Sequence, residues 1–176
     1  GRNLSNLWLV CNGEIYNHKN LAKKHKIQLQ TESDCEIIIH LYQKLGMNKM
    51  LRELDGVFAF CIYDTKKNLM YSARDRYGVR PSYYGRTAAG ETVIASEIKA
   101  MSDIADTIQH FPPGTWWTSE TPQTFYEYFS CDYKINNSIE PEEALVKTRC
   151  LLEEAVSKRM MADREIGCLL SGGLDS

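Results

Sequence analysis

Residues 57–63, Val57-Phe58-Ala59-Phe60-Cys61-Ile62-Tyr63, are apolar on both of the faces that alternate along a strand. A strand with one polar face needs covering on one side only; a strand apolar on both faces needs a layer on each. This run is therefore predicted to be a central strand of a sheet covered twice. Leu54-Asp55-Gly56 leads into it, and residues 64–68 turn the chain into a second strand over 69–73. The short separation marks an antiparallel hairpin.

The residues before this hairpin read in two parts. Residues 7–10 form an apolar strand, followed by Asn12-Gly13-Glu14-Ile15-Tyr16-Asn17. Asn-Gly after a strand is predicted as a turn, because both residues tolerate positive φ. A turn that sets a backbone N–H beside a side-chain amide would also stabilise an oxyanion. Residues 17–30, basic at their centre, read as a surface helix or loop. Ser33 followed by Glu36 has capping-box spacing. Ile37, Ile38, Leu41, Tyr42 and Leu45 recur at helical intervals, and Gly46 suits a stop. Asp34 then falls in a first helical turn, where it either stabilises the helix dipole, worth about 0.3–1 kcal/mol, or receives a ligand's ammonium group.

After the hairpin comes Arg74-Asp75-Arg76-Tyr77-Gly78-Val79-Arg80-Pro81, with three arginines about one acid. It reads either as a solvated turn or as an ordered loop whose ion pairs and hydrogen bonds brace a site. Short strands are predicted at 82–85, 92–96 and 115–118, with a brief helix at 97–101 and a turn at 111–114. Residues 119–141 are polar and irregular, and a linker is placed at 121–141, between a domain at 1–120 and the start of another at 142–176. Pro141 opens a helix with Ala144, Leu145, Thr148, Leu151, Leu152, Ala155 and Val156 on one face. An apolar strand at 166–170 ends in Ser171-Gly172-Gly173-Leu174-Asp175-Ser176. Paired glycines after a buried strand let successive N–H groups face one concavity, which suits a phosphate.

Composition removes several classes. Twenty-one basic against 23 acidic side chains leave a net charge of −2, with no electrostatic footprint for nucleic acid or anionic membrane. No apolar run approaches the roughly 20 residues that span a bilayer, and no signal-peptide pattern opens the chain. The six cysteines are widely spaced, which favours reduced, mostly buried thiols of a cytoplasmic protein over a disulfide framework or a zinc site.

Asn12-Gly13-Glu14-Ile15-Tyr16-Asn17, Asp34, Leu54-Asp55-Gly56-Val57-Phe58-Ala59-Phe60 and Arg74-Asp75-Arg76-Tyr77-Gly78-Val79-Arg80-Pro81 together resemble the class II glutamine amidotransferase domain. Ser171-Gly172-Gly173-Leu174-Asp175-Ser176 resembles the pyrophosphate-binding loop of ATP-pyrophosphatase synthetases. Joined in this order they resemble the glutamine-hydrolysing asparagine synthetase family. The resemblance implies an α+β fold: an N-terminal-nucleophile-type αββα sandwich of mainly antiparallel sheets, followed by the first helix and strand of an α/β synthetase domain. It implies Asn12 and Gly13 as the oxyanion hole, with Glu14 and Asp34 joining them to bind glutamine. It implies Leu170, Ser171, Gly172, Gly173, Asp175 and Ser176 as ATP contacts, with Mg2+ to neutralise the phosphates and no metal ligand among the site residues. The implied reaction makes asparagine from aspartate through a β-aspartyl-AMP intermediate, with ammonia from glutamine. Its partners are the small molecules glutamine, aspartate and ATP, and it is compatible with a homodimer.

One departure shapes the expectation. The family's nucleophile is an N-terminal cysteine assisted by its own α-amine, whereas this chain opens on Gly1 and stops soon after a strand. The chain therefore reads as incomplete at both ends, its glutamine site as lacking the nucleophile, and the stretch as given as inactive. Cys11 is read as a structural thiol, since it has a normal amide and no evident base. The strand at 166–170 is expected to lack partner strands. The competing readings are a non-catalytic regulatory or binding protein on the amidotransferase fold, and another adenylating amidotransferase such as a β-lactam synthetase.

Overall fold

The computed structural model describes residues 2–4, 6–135, 138–162 and 164–173. The chain divides into two compact units, Gly1–Cys131 and Asp132–Ser176. The first is α+β with antiparallel sheets, as the sequence predicts. Its larger sheet contains β1 (Arg2–Leu4), β2 (Leu7–Ile15), β3 (Gly56–Asp64) and β4 (Leu69–Arg74). Its smaller sheet is built from β5 (Tyr83–Arg86), β6 (Thr92–Ala95) and β7 (Thr107–His110) in the order β6-β5-β7. β8 (Thr115–Thr118) and β9 (Phe125–Glu127) then return to the larger sheet, which runs β1-β2-β3-β4-β8-β9.

Two helices, α1 (His18–His25) and α2 (Glu36–Glu53), connect β2 to β3. Leu21 of α1 and Ile37, Ile38, Leu41, Met50 and Leu51 of α2 are buried with Leu7, Leu9, Phe58, Phe60 and Ile62 in one core. Phe58, Phe60 and Ile62 lie two apart on β3, so a single face of the strand supplies all three. The opposite face is less covered than a doubly apolar run predicts. Ala59 and Cys61 are half-buried and Tyr63 is 41% exposed. Ile94 and Ala95 of β6 join Val10, Asn12, Ala59, Cys61 and Ser72 around a cavity of about 130 Å³. That coverage stops short of Tyr63.

Several local expectations are corrected. Asn12-Gly13 is not a turn: both residues sit inside β2, with Asn12 opposite Ala59 and Gly13 opposite Phe58. A β-carbon on Gly13 would lie 2.3 Å from the Val57 carbonyl oxygen and 2.6 Å from the Phe58 α-carbon. Close approach of the two strands, rather than positive φ, demands glycine there. Gly46 does leave the helical conformation, at φ 73°, but helix resumes at once and continues to Glu53. Cys35, not Ser33, is the N-terminal flanking residue of α2, and it makes no side-chain cap. Glu36 reaches back to the Gln30 and Thr31 N–H groups, at 2.7 and 2.8 Å. The sequence also missed β7 and β9, which are short and mixed in polarity; β9 forms inside the stretch expected to be irregular.

In the second unit, α3 (Pro141–Arg159) begins at the expected proline and carries Glu142 and Glu143 in its first turn and Lys158 and Arg159 in its last. These charges complement the helix dipole. Leu145, Leu151, Leu152 and Val156 are exposed. Residues 166–170, predicted as a strand, are irregular, with Leu169 and Leu170 exposed by 95% and 82%. A strand needs a neighbour to satisfy its backbone groups, and none pairs with this segment among the described residues. No helix among the described residues is long and apolar enough to cross a membrane.

Gly13→Ala is expected to destabilise the first unit by about 1–3 kcal/mol through overpacking against β3, read from the midpoint of urea unfolding. An unchanged midpoint would show that the strands do not meet as closely as described.

Candidate functional site

Asp75 organises the loop that follows β4. It is only 1% exposed, and its carboxylate accepts the backbone N–H groups of Tyr77, Val79, Arg80 and Phe58, at 3.1, 2.9, 3.0 and 3.3 Å. Its own N–H donates to the Phe58 carbonyl at 2.8 Å. The preceding residue works in parallel: the Arg74 guanidinium donates to the carbonyls of Arg80, Phe111 and Gly78, each at 2.8 Å. Gly78 passes so close to this guanidinium that a β-carbon would lie 3.0 Å from Arg74 Cζ, and its φ of 67° favours glycine independently. Of the two readings open from sequence, the ordered and braced loop is the one found. Charge-assisted bonds on both carboxylate and guanidinium account for it.

The bracing delivers Arg80 to β2. Arg80 Nη2 lies 3.6 Å from Glu14 Oε1, while its buried Nε has no hydrogen-bond partner among the described residues. Glu14 is the residue after Gly13, so the loop's charge meets the strand beside the two residues singled out for an oxyanion.

Asp34 approaches the same strand from the α2 side. Its Oδ2 accepts the Ile15 N–H at 2.6 Å, and the neighbouring Cys35 thiol donates to the Gly13 carbonyl at 3.5 Å. Gly13, Ser33, Asp34, Cys35 and Glu36 line a cavity of about 340 Å³ with Leu9, Val10 and Cys11. Glu36 is nearly fully buried. Burial opposes its charge, but hydrogen bonds from the Gln30 N–H, the Thr31 hydroxyl, His40 and the Thr31 N–H outweigh that penalty. They hold it down from 4.5 to about 2. The cavity wall therefore carries one fixed negative charge at Glu36 with a second carboxylate, Asp34, beside it.

Cys11 lines this cavity too. Its thiol is pushed far above its ordinary value, first by a hydrogen bond with Cys35 and then by burial and the charge of Asp34. A thiol held protonated is a poor nucleophile, which agrees with the structural role read from sequence.

The two oxyanion candidates do not line one cavity. Gly13 borders the larger one, while Asn12, one residue earlier and on the opposite face of β2, borders the smaller one with Ala59, Ser72, Ser82 and Ser96. Asp34, Gly13 and Glu14 are thus brought together around the end of β2, with Asn12 adjacent across the strand. Arg80 and Glu36 escaped singling out from sequence. The cluster of arginines about Asp75 was the available signal for Arg80, and the capping-box spacing was the signal for Glu36.

In the second unit Gly172 has φ 80°, and the Gly173 N–H donates to Ser171 Oγ at 3.4 Å. Among the described residues, nothing lies within 4 Å of a β-carbon placed on Gly172. Hydroxyl and backbone donors with open space fit a phosphate group. Leu170 is exposed beside them. Asp175 and Ser176 lie outside the described residues. No three His, Cys, Asp or Glu among the described residues are arranged to hold a metal ion, so the described residues do not themselves make a Mg2+ site.

Comparison with known proteins adds to this geometry. Residues 2–128 match the glutamine amidotransferase domain model, and residues 147–176 match the asparagine synthase model. The chain is 38% identical over 188 residues to a probable glutamine-hydrolysing asparagine synthetase of Acanthamoeba polyphaga mimivirus, covering 95% of this chain and 34% of that protein. It is 37% identical over 194 residues to the glutamine-hydrolysing asparagine synthetase of Rattus norvegicus, covering 97% and 35%. It is 39% identical over 174 residues to asparagine synthetase B of Escherichia coli K12, covering 96% and 30%. The chain spans about a third of the length of these curated relatives. Among solved structures, glutamine phosphoribosylpyrophosphate amidotransferase of B. subtilis, complexed with ADP and GMP, superposes with a TM-score of 0.57 at 26% identity. That match covers 66% of this chain and 28% of the other.

The depressed value at Glu36 has a pH signature. Because the folded value lies below the unfolded one, the stabilisation is complete above about pH 4.5 and fades as pH falls toward 2. Glu36→Gln is expected to lower stability at neutral pH and to flatten the loss between pH 4.5 and 2, followed by urea unfolding at each pH. A variant as acid-sensitive as the parent would assign that loss to other groups.

Proposed function

The chain belongs to the glutamine amidotransferase domain family, and from that premise we propose that it forms the glutamine-hydrolysing part, and the beginning of the synthetase part, of an ATP-dependent enzyme that makes asparagine from aspartate. The observation that carries the reading is the placement of Asp34, Gly13 and Glu14 around one end of β2. The match of residues 147–176 to the asparagine synthase model supports the second part. It also weighs against a stand-alone binding module.

In this reading the cavity beside α2 receives the amino-acid end of glutamine. Asp34 pairs with the α-ammonium, where a carboxylate already hydrogen-bonded to the strand is held in place before substrate arrives. The fixed charge of Glu36 deepens the negative potential around that ammonium. Glu14, braced by Arg80, completes the polar edge. As the amide carbonyl becomes tetrahedral, its oxygen gains negative charge; the Gly13 N–H, at the edge of β2 between the two cavities, would donate to it, and the Asn12 side-chain amide would have to turn to that edge from the opposite face to join it. The nucleophile is a different cysteine from Cys11, whose thiol stays protonated.

At the other end, Ser171 and the backbone of Gly172 and Gly173 would hold phosphates of ATP, with Leu170 at the nucleotide's edge and Asp175 and Ser176 continuing the loop. ATP supplies the adenylyl group that activates the aspartate carboxylate, and Mg2+ would accompany its phosphates. The substrates are small molecules, and the protein works in the cytoplasm.

Asn12→Ala is expected to raise the barrier to glutamine hydrolysis by about 2.7–4 kcal/mol, the worth of one oxyanion donor, measured as glutamate release by the enzyme. Ammonia-dependent asparagine formation should be largely spared. Equal loss of both activities would show that Asn12 supports the fold rather than the oxyanion. ATP should yield AMP and pyrophosphate only with aspartate present; ADP as product would rule out adenylation.

A further inference from the structure

We infer that Glu36 is a positioning residue for Asp34: its side chain closes the turn that carries Asp34, and so sets that carboxylate on the end of β2 before a ligand arrives. The inference rests on the glutamine reading for the identity of the ligand alone; the placement of Asp34 stands on ligand-free geometry. Residues 27–35 form bends and turns but neither helix nor strand, so no ladder of backbone bonds holds the segment around Asp34. The Glu36 carboxylate supplies the hold. Its Oε1 accepts the Gln30 N–H at 2.7 Å, and its Oε2 accepts the Thr31 N–H at 2.8 Å. The Thr31 hydroxyl also donates to Oε2 and accepts the Ser33 N–H at 3.3 Å. From the helix side, the Glu36 N–H donates to the Ser33 carbonyl at 3.1 Å. His40, one turn further along α2, places its Nε2 3.1 Å from Oε1. Asp34 therefore sits inside a loop of hydrogen bonds whose two ends meet at one side chain.

The consequence reaches the strand. Ile15 is the last residue of β2, and its N–H donates to Asp34 Oδ2 at 2.6 Å. The charge of Glu36 could act on an ammonium group from many positions. A carboxylate that must meet both a strand N–H and a ligand's ammonium group needs one position. Length at residue 36 is therefore what matters. Aspartate would keep the charge but draw the carboxylate one methylene back from Gln30 and Thr31. Glu36 is 4% exposed, so water does not stand ready to replace the bonds lost.

Amide hydrogen exchange of the ligand-free, ¹⁵N-labelled protein reads the Asp34–Ile15 bond directly. In Glu36→Asp, exchange of the Ile15 N–H should quicken by about tenfold or more, the factor that loss of one charge-assisted hydrogen bond gives. The amides of β3 should keep their protection. Thr31→Val removes one donor at an exposed residue and should shift Ile15 in the same direction by a smaller factor, which keeps the test open should Glu36→Asp fail to fold. Ile15 exchange unchanged in both variants, or quickened only as much as that of the β3 amides, would overturn the inference. Titration with glutamine then separates this inference from the functional reading. A parent protein that binds no glutamine contradicts the functional reading and leaves the exchange result standing. In a parent that binds it, Glu36→Asp should weaken the affinity by about tenfold, in step with the freed Ile15 N–H; full affinity in that variant would show that its charge alone suffices and would overturn the positioning role.

Discussion

Nine consecutive residues of β2 pair with nine of β3, from Leu7 opposite Asp64 to Ile15 opposite Gly56. Everything proposed for the first unit hangs on that register. Because side chains alternate along a strand, a slip of one residue would send Phe58, Phe60 and Ile62 out of the core and turn Gly13 to the other face. Glycine at position 13 locks the register sterically, since no other residue fits against Val57 and Phe58. The strand pair thereby sets Gly13 toward the α2 side and Asn12 toward the smaller sheet.

Charge is then delivered to this pair from two directions. The loop after β4 is pulled onto β3 by buried Asp75, which binds the Phe58 backbone at both its donor and its acceptor. It carries Arg80 to Glu14. From the other side α2 brings Asp34 to Ile15 and Glu36 to the Gln30–Thr31 turn. An unpaired buried carboxylate would cost several kcal/mol. Here each one is met by backbone N–H groups, so the negative charge is fixed by the fold and stays available to a cation. That division of labour, with backbone amides satisfying the acids and the cavity presenting them, suits recognition of an amino acid's ammonium group.

Much of this was legible in the sequence where the signal was local and strong. The doubly apolar run 57–63 announced the central strand, and the helical spacing of Ile37, Ile38, Leu41 and Tyr42 announced α2. The clustered arginines left a solvated turn and an ordered loop open, and the hydrogen bonds of Arg74 and Asp75 decided for the loop. What failed had physical cause. Asn-Gly has high turn propensity, but strand pairing overrode it, because the glycine was needed for close approach and not for its φ. β7 and β9 are short strands held by neighbours rather than by their own composition. The apolar run 166–170 has strand character in sequence but no partner among the described residues to express it. The motif at Asn12 to Asn17 was read on the wrong backbone: strand pairing, and not a turn, sets Asn12 and Gly13 beside the cavities.

Glutamine recognition at the end of β2 is the central claim, and backbone amide shifts read it most directly. Titrating the ¹⁵N-labelled protein with glutamine should move the resonances of Gly13, Glu14, Ile15, Asp34 and Cys35 together along one binding curve. Asp34→Asn should abolish those shifts while leaving the remaining spectrum in place. Shifts confined to other parts of the molecule, or shifts at these five residues that persist unchanged in Asp34→Asn, would contradict recognition of the ammonium group by this carboxylate.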